Sequence, residues 1–541
     1  MIAALAAAGL FPAAALAQSD IPSPAAEDGF VANRTDMTVV TAMYPRLTSV
    51  NPSGMVCLPL QRVAVVGAGA VKSDGGYVNY SESDNSVLLG ADTEAYQRIG
   101  DRMVLHGALS FDWFRGKNMG GSAFEDPDFA PFNLVEYTDD NRGTGKKEFY
   151  HLVGGLAGDL GRGWSLGAEL DYRTGDFTKT RDLRHSNTIL DLRLNAGFTW
   201  KAARCFSLGL NYSYRNYVET MVFKTYGTSD QSYYTLIDWG AFFGQYEVQS
   251  ETGGGVTEKG SRQPLMNNIH GGALQLDFFA GRSSILNEFA FGVRSGYFGI
   301  DNNSNVIYTD HTGFDASYAL KVLVDGERNH HNVSLDACFS LLGNNERSYK
   351  ISTINTYKVV EYFGSNRVGD KLGVSGSLRY EGLLGLDGFT PVWVVSAGLD
   401  GRLRNVHASV YPYYRDQTLL MCSADASLKR NIEKGRNLFA PSMNLAFSMG
   451  FGEMNSDDTE TTPSELQKPP RVQEKFLQWE YDYLTAPGMS AGLSFRYSRY
   501  MKKNFTPFVE ISYTYSRAFG AVSFPAGPSR HVECLKLGFN F

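Results

Sequence analysis

The amino-acid sequence predicts an all-β fold, an antiparallel transmembrane β-barrel of roughly 16 strands, within a range of about 14 to 18. Three observations lead to this prediction. Apolar and polar residues alternate over long segments, the polar side of these segments consists of small residues with isolated charges, and the connections are alternately short and long. Alternation with period two places one face of a strand toward lipid and the other toward a lumen.

The N-terminal residues predict an export signal. Residues 1–17 form an apolar run that ends in Ala15-Leu16-Ala17, which has the small-x-small pattern of a cleavage site. The alternative for this run is a buried N-terminal helix. Residues 18–61 show no clear periodicity and are expected to form a periplasmic or plug segment, followed by the barrel over residues 62–541.

Period-two alternation marks the strands in order. It is clearest where Trp164, Leu166 and Ala168 alternate with Ser165 and Gly167. Strands are predicted to begin near Arg102, Lys147, Trp164, Ile189, Arg204, His270, Ile285, Gly313, His331, Lys371, Pro391, Gln417, Phe439, Met489, Phe505 and His531. An even number of strands returns the C-terminus to the periplasmic side.

Two places leave the strand count open. Within residues 391–413 the apolar positions change from odd to even at Arg404-Asn405, which indicates either a bulge or a turn. A turn would raise the count to about 18. Residues 62–72 are a further candidate strand or an inward hatch.

The predicted connections divide into two classes. Short ones lie at residues 160–163, 201–204, 281–284, 325–330 and 501–504, and long ones at residues 116–145, 219–268, 343–369 and 452–488. Short periplasmic turns and long extracellular loops are typical of outer-membrane barrels.

The composition excludes other classes of protein. The chain has 541 residues, of which 20% are charged, with 57 glycines, 30 tyrosines and 34 phenylalanines, so disorder and coiled coil are excluded. The formal net charge of -7 is not gathered into blocks, so no nucleic-acid partner is expected. Five widely spaced cysteines predict neither a disulfide framework nor a zinc site.

The last strand carries a resemblance. It ends in Phe541, with Phe539, Leu537 and Leu535 at alternate positions before it, while Glu533 departs from the apolar pattern. This end resembles the terminal signature of Gram-negative outer-membrane β-barrels, which implies that the barrel-assembly machinery reads Phe539 and Phe541. Most of the chain resembles uncharacterised outer-membrane barrels known only as domains of unknown function. The resemblance implies a location in the cell outer membrane, in contact with its lipid, and it implies no activity.

Charged residues on the polar faces are the candidate functional residues. The predicted lumen-lining residues are Glu169, Asp171, Arg173, Asp191, Arg193, Arg215, Asp336, Asp425, Arg496, Glu510 and Lys536. They form either a mutually paired network that stiffens the barrel or a selectivity lining for a channel.

No residue is predicted to be catalytic or to bind a cofactor or metal. His330 and His331 are consecutive in a strand and point to opposite faces. Acidic loops such as Asp126-Pro127-Asp128 offer oxygen ligands but lack the spacing of a calcium loop, so a solvated surface is expected there.

Three functions are compatible with these residues. The first is a channel or transporter for an unknown small solute, polar or hydrophobic. The alternative is a surface binding or adhesion protein that uses its long outer loops, above all the aromatic loop over residues 219–268, although this loop could also fold inward as a lid. The third and weakest is a hydrolase at the outer rim, for which no flanking motif is present.

Overall fold

A computed structural model describes residues 35–58, 60–137, 141–181, 184–224, 233–249, 255–257, 260–302, 304–354, 357–501, 505–520 and 523–541. The predicted signal peptide over residues 1–17 lies outside the described residues. So does the first part of the predicted segment 18–61.

Eighteen long antiparallel strands close into one barrel, which confirms the predicted fold class. The first nine are β1 (Arg62–Asp74), β2 (Asn85–Ile99), β3 (Met103–Met119), β5 (Gly143–Gly161), β6 (Trp164–Lys179), β7 (Arg184–Ala203), β8 (Phe206–Lys224), β11 (Arg262–Ala280) and β12 (Ser283–Gly299). The other nine are β13 (Ile307–Asp325), β14 (Asn329–Ile354), β15 (Tyr357–Leu384), β16 (Trp393–Val410), β17 (Tyr413–Arg430), β19 (Asn437–Gly452), β22 (Gly488–Arg499), β23 (Thr506–Ala518) and β24 (Ser529–Asn540). The barrel closes where β1 pairs with β24.

The remaining elements are short. Strands β18 (Ile432–Lys434) and β20 (Ser456–Thr459) extend the wall, and β4 (Asn133–Glu136), β9 (Tyr233–Gly240), β10 (Phe243–Gln249) and β21 (Arg471–Val472) form a second sheet. The α-helices are α1 (Met37–Met43) and α2 (Glu474–Thr485), and 3-10 helices cover Pro45–Thr48 and Pro52–Cys57. Within the described ranges, no helix is long and apolar enough to cross a membrane.

Strands β1 and β2 raise the count from the expected 16 or so to 18, within the predicted range. The candidate strand at residues 62–72 is β1. The sequence prediction missed β2, because Leu88 and Tyr96 lie on its inner face and break the alternation between apolar and polar positions.

The predicted bulge or turn at Arg404-Asn405 is wrong. Strand β16 runs through both residues in unbroken register with β15 and β17. Val406 and Ala408 continue the inner face of Arg404, where they are buried against the second sheet. The apolar residues therefore change from one face of the strand to the other at this point, because the inner face there packs against the apolar second sheet.

The long connections lie at one end of the barrel, as predicted, although that end also has a short connection at residues 411–412. The end that carries Arg62 and Phe541, here the terminal end, has short connections such as residues 162–163, 204–205 and 281–282. The opposite end, here the loop end, has the long connections at residues 120–142, 225–261 and 453–487. The expected loop at residues 343–369 is wrong, because β14 and β15, of 26 and 28 residues, continue as a paired hairpin beyond their neighbours.

The outer surface of the wall is apolar and exposed. Outward side chains such as Leu109, Leu399 and Leu493 are 49%, 58% and 67% exposed. A continuous belt of this kind is unfavourable in water and is what a barrel presents to lipid hydrocarbon.

Candidate functional site

A segment of the chain lies inside the barrel at the terminal end. This inner plug, residues 35–58, contains α1 and both 3-10 helices. Its side chains Met37, Val40, Leu47, Met55 and Leu58 form one buried cluster with Val63, Tyr96, Val104 and Ala157 of the wall. The plug therefore fills part of the lumen with an apolar contact of its own.

Polar contacts fix the plug to the wall. Arg46 forms an ion pair with Asp277, with its Nε 2.9 Å from Asp277 Oδ2, and its Nη1 lies 3.6 Å from Glu288. The Asn51 side chain donates to the carbonyl of Phe198 at 3.1 Å and to Gln275 Oε1 at 3.0 Å. These contacts add to bonds that the wall makes on its own, since Asp277 also accepts from Ser207 at 3.1 Å and Glu288 also accepts from Gln275 at 2.5 Å.

Three connections at the loop end combine into one lid. Strand β4 comes from residues 120–142, β9 and β10 from residues 225–261, and β21 and α2 from residues 453–487. The sheet order is β21-β10-β9-β4. We call the sheet, α2 and residues 120–132 together the lid.

Aromatic side chains form the core of the lid. Phe124, Phe132, Trp239 and Phe243 pack with wall residues such as Phe298. A second cluster holds Tyr77, Tyr80, Phe242, Phe476 and Trp479. Of the aromatic residues at 219–268, Trp239, Phe242 and Phe243 are thus turned inward, while Tyr234 and Tyr246 remain exposed and Tyr226 lies outside the described residues.

The turn between β9 and β10 is held by two charged residues. Ala241 and Phe242 have φ of 50° and 55°, the left-handed pair of a two-residue hairpin. Asp238 accepts hydrogen bonds from the backbone N–H groups of Gly240 and Phe243 at 2.9 and 3.2 Å. Burial raises the pKa of Asp238 to about 6, although the positive charge of Lys371 opposes the rise.

Arg415 joins this turn to the wall. Its guanidinium donates to the carbonyl of Ala241 at 3.2 Å, to both carboxylate oxygens of Asp457 at 2.6 and 2.7 Å, and to Glu474 at 3.0 Å. Only 1% of Arg415 is exposed. One buried side chain of β17 thus contacts the lid hairpin, β20 and α2 together.

A chamber lies between the plug and the lid. Its volume is about 1230 Å³, and it is bounded by Asp36 of the plug, by Glu125 and Asp128 of the lid and by polar residues of the wall. The chamber carries both signs of charge and is large enough for a small polar solute, since binding pockets for such ligands span ~300–1,000 Å³.

The sequence matches one family model over residues 52–541, a family of unknown function, DUF6850. The chain belongs to DUF6850. This confirms the resemblance to barrels of an uncharacterised family. No curated protein matches the DUF6850 chain.

Several solved structures are distantly similar to this DUF6850 chain. BauA, the ferric preacinetobactin receptor from Acinetobacter baumannii, has a TM-score of 0.41 and 9% identity, covering 89% of this chain and 79% of that one. The outer membrane transporter YddB from Escherichia coli has a TM-score of 0.39 and 8% identity, covering 88% and 80%. The copper transporter OprC has a TM-score of 0.35 and 9% identity, covering 89% and 80%. Likenesses this distant say nothing about what the DUF6850 chain binds.

The structure places five of the predicted lumen residues on the chamber wall: Arg173, Asp425, Arg496, Glu510 and Lys536. Each has a charged neighbour. Arg173 Nη2 lies 3.5 Å from Glu125 Oε1, Asp425 lies 3.2 Å from Arg379, Arg496 lies 4.0 Å from Glu510, and Lys536 lies 3.2 Å from Asp92. Pairing is common here, while a selectivity role stays a prediction.

The other predicted lumen residues lie outside the chamber lining. Asp171 is 2.7 Å from His151 and 3.9 Å from Arg193, and Asp191 is 2.8 Å from Arg215. Glu169 lies 3.7 Å from His106, and Asp336 is exposed with no charged partner among the described residues. At the seam, Phe505 stacks on Phe539 with ring centroids 4.9 Å apart and contacts Phe541, while recognition of these two residues by the assembly machinery stays a prediction.

Sequence reasoning missed the residues that define the chamber. Asp126-Pro127-Asp128 was expected on a solvated surface, but it lies in the lumen. Its wall partners Lys371 and Arg402 come from β15 and β16, so they are far away in sequence. The sequence does contain an indication that this loop folds inward, because the acidic turn is followed by the apolar residues Phe129 and Phe132.

Proposed function

We propose that this protein is a gated outer-membrane channel that passes a small solute through its lumen. The observation that carries the proposal is the chamber with charged residues in its lining that lies between the plug on one side and the lid on the other. Two closures in series around a polar space are suited to admitting a solute without leaving a continuous open pore.

The proposal includes an orientation and a location. The terminal end would face the periplasm and the loop end the exterior, because short turns and long loops segregate in this way in outer-membrane barrels. The exposed apolar belt would contact the lipid, and Phe539 and Phe541 would direct assembly. The protein would act by passage of its solute, without a chemical step.

The closures are held by contacts that can be broken reversibly. Arg46 holds the plug through ion pairs, and Arg415 holds the lid. Both closures are parts of the same chain as the wall, so they can move and return without dissociating.

Conductance of the refolded protein in a planar lipid bilayer tests the proposal. Four forms are compared: the intact chain, a lid deletion that removes residues 122–136 and 233–249, a plug deletion that removes residues 35–58, and the double deletion of lid and plug. Because the barriers lie in series, stable open steps are expected from the double deletion, with brief or rare openings from the other three forms.

The control is a deletion of residues 350–361, the far part of the β14–β15 hairpin, where the two strands pair only with each other. It should behave like the intact chain. Folding of each form is checked by its heat-dependent gel shift, which a folded barrel shows and an unfolded one lacks. A folded double deletion that stays silent would overturn the channel, and an intact chain with continuously open steps would overturn its two closures.

A second candidate function is surface binding through the β14–β15 hairpin. Beyond Glu346 and before Gly369 these strands pair only with each other. The projecting part exposes Tyr349, Ile351 and Phe363, the last at 67%. Exposed apolar side chains outside the belt favour a contact surface. Cells with the substitutions Ile351→Ser and Phe363→Ser should then lose adhesion to immobilised glycans while solute uptake is unchanged.

A further inference from the structure

We propose that the chamber binds a soluble solute with two separated anionic groups, and that Glu125 and Asp128 of the lid occupy its place in the closed state. The inference rests on the proposed channel and names its substrate class. It starts from the basic side chains that surround these two acidic residues.

Glu125 is held by the wall on one side of the lumen. Its Oε1 lies 3.1 Å from Lys147 Nζ of β5 and 3.5 Å from Arg173 Nη2 of β6. Burial raises the pKa of Glu125, but these two positive charges outweigh it and hold the pKa below its usual value. The carboxyl is therefore an anion bound by two cations.

Asp128 is held by the opposite side of the lumen. Its Oδ2 lies 3.2 Å from Arg402 Nη2 of β16. Its position in the lumen raises the pKa of the carboxyl, but Arg404, Arg402 and Lys371 outweigh it and hold the pKa below its usual value. Strands β5 and β6 lie across the barrel from β15 and β16 in the strand order, so the acidic loop bridges the lumen.

Two further basic side chains contact the acidic loop without a carboxylate in hydrogen-bond contact among the described residues. Lys371 donates to the backbone carbonyls of Ala130 at 2.6 Å and Pro127 at 3.3 Å. Arg294 is 6% exposed, donates from Nε to Asn267 at 2.8 Å, and lies 4.1 Å from the centre of the Phe129 ring, with Asp315 and Asp126 near enough to interact electrostatically. Withdrawal of the loop would take these acceptors from Lys371 and the ring from Arg294, so an anionic solute would then stabilise the exposed wall.

The third acid of the loop shapes the turn. The Oδ1 of Asp126 accepts the backbone N–H groups of Asp128 and Phe129, both at 3.1 Å. Glu125 and Asp128 therefore face five cationic residues of the wall. These are Lys147, Arg173, Lys371, Arg402 and Arg404, of which Arg404 also pairs with Glu480 at 2.9 Å.

If the loop withdraws, the wall exposes a positive surface on two sides of the lumen. A solute with two anionic groups, either carboxylates or phosphates, can replace both Glu125 and Asp128. A neutral solute or a cation cannot, because it leaves the same cations unmatched. The loop thus acts as a tethered competitor for the solute.

Isothermal titration calorimetry on the folded full chain tests this competition. The probes are glutarate for the dicarboxylate class, pyrophosphate for the phosphate class, maltose as a neutral solute and putrescine as a dication. The test variant is Glu125→Gln with Asp128→Asn, which keeps side-chain size. The matched control is Asp325→Asn with Glu327→Gln, which removes the same charge at a turn of the terminal end.

The test variant should bind at least one dianion tenfold or more tightly than the intact chain, and the control should bind it like the intact chain. Adding Lys371→Gln and Arg402→Gln to the test variant should reverse the gain. Tighter glutarate or pyrophosphate binding identifies the anion class. Equal binding by test and control variants, or equal binding of maltose, would overturn the inference.

A measurement on the chain without substitutions tests the same competition even if the variants do not fold. A saturating dianion should displace the loop and increase proteolytic cleavage within residues 120–137, whereas maltose should not. No increase with either dianion would contradict the competition. Because neither readout requires passage, anion binding with a silent double deletion refutes the channel alone, and conductance without anion binding refutes the anion site alone.

Discussion

Replacing Arg415 by Met should release the lid while the barrel wall stays intact. Arg415 is buried, and it donates to Asp457, Glu474 and the carbonyl of Ala241. Methionine keeps the apolar stem but removes every one of these hydrogen bonds.

The size of the effect follows from how buried each partner is. Breaking a fully buried ion pair costs about 3–5 kcal/mol, because a buried charge is left unmatched. Here the side chains of Asp457 and Glu474 are about half exposed, so water can solvate them after the change. We therefore expect a loss of about 2–3 kcal/mol, in line with one or two charge-assisted hydrogen bonds.

Hydrogen exchange is the assay that resolves this loss by region. A loss of that size increases the population of the open lid about 30- to 150-fold, since 1.4 kcal/mol corresponds to a factor of ten. Amides of β9 and β10 should exchange faster by this factor, and those of β5 and β6 should not change. The control is Arg347→Met, which breaks a pair with Asp310 at the base of the projecting hairpin. Unchanged exchange in β9 and β10, or equal acceleration in the wall, would refute the clamp.

Three other changes give separate expectations. The pKa of Asp238 is about 6 in the folded protein, above its unfolded value of 3.8, so the lid should be most stable below pH 4 and lose up to about 3 kcal/mol as pH rises through 6. Hydrogen exchange of β9 between pH 5 and 7 checks this expectation. The substitution Asp238→Asn should remove this dependence of lid stability on pH. A Cβ at Gly167 would collide with the backbone at Ser53, so Gly167→Ala should speed hydrogen exchange of the plug. Gly107→Ala is the control, because Gly107 has open space around it, and it should leave this exchange unchanged. Equal exchange of the plug in both variants would contradict the contact. Phe541→Ser should reduce the fraction of folded protein in outer-membrane extracts, measured by the heat-dependent gel shift, and an unchanged fraction would count against its role in assembly.

The strands of the wall could be predicted from the sequence because each strand shows its own alternation of lipid-facing and lumen-facing residues. A strand such as β6 has one face toward lipid and one toward the lumen, so Trp164, Leu166 and Ala168 show its register without reference to any neighbour. Where the inner face is itself apolar, as at Val406 and Ala408, the same rule fails.

The chamber could not be predicted in the same way. The lid forms by pairing strands from three distant connections, and no short pattern in β4 or β21 specifies its partner. Lys371 was expected near the start of a strand, whereas β15 begins at Tyr357, and the contact of Lys371 with Ala130 depends on how the whole loop folds inward. Charges on the wall were therefore predictable as a group, and their partners in the lumen were not.

The way in which β4 joins the lid sheet links what happens in the chamber to what happens at the outer surface. Glu125 and Asp128 lie a few residues before Asn133, where the chain enters β4 and pairs with β9 over four residues. On the other edge, β21 pairs with β10 over only two residues. If the proposed solute displaces the acidic loop, the displacement reaches β9 through the four-residue pairing with β4, and the two-residue pairing of β21 with β10 is the edge expected to separate first. Binding in the chamber and opening of the lid would then be coupled through one continuous sheet.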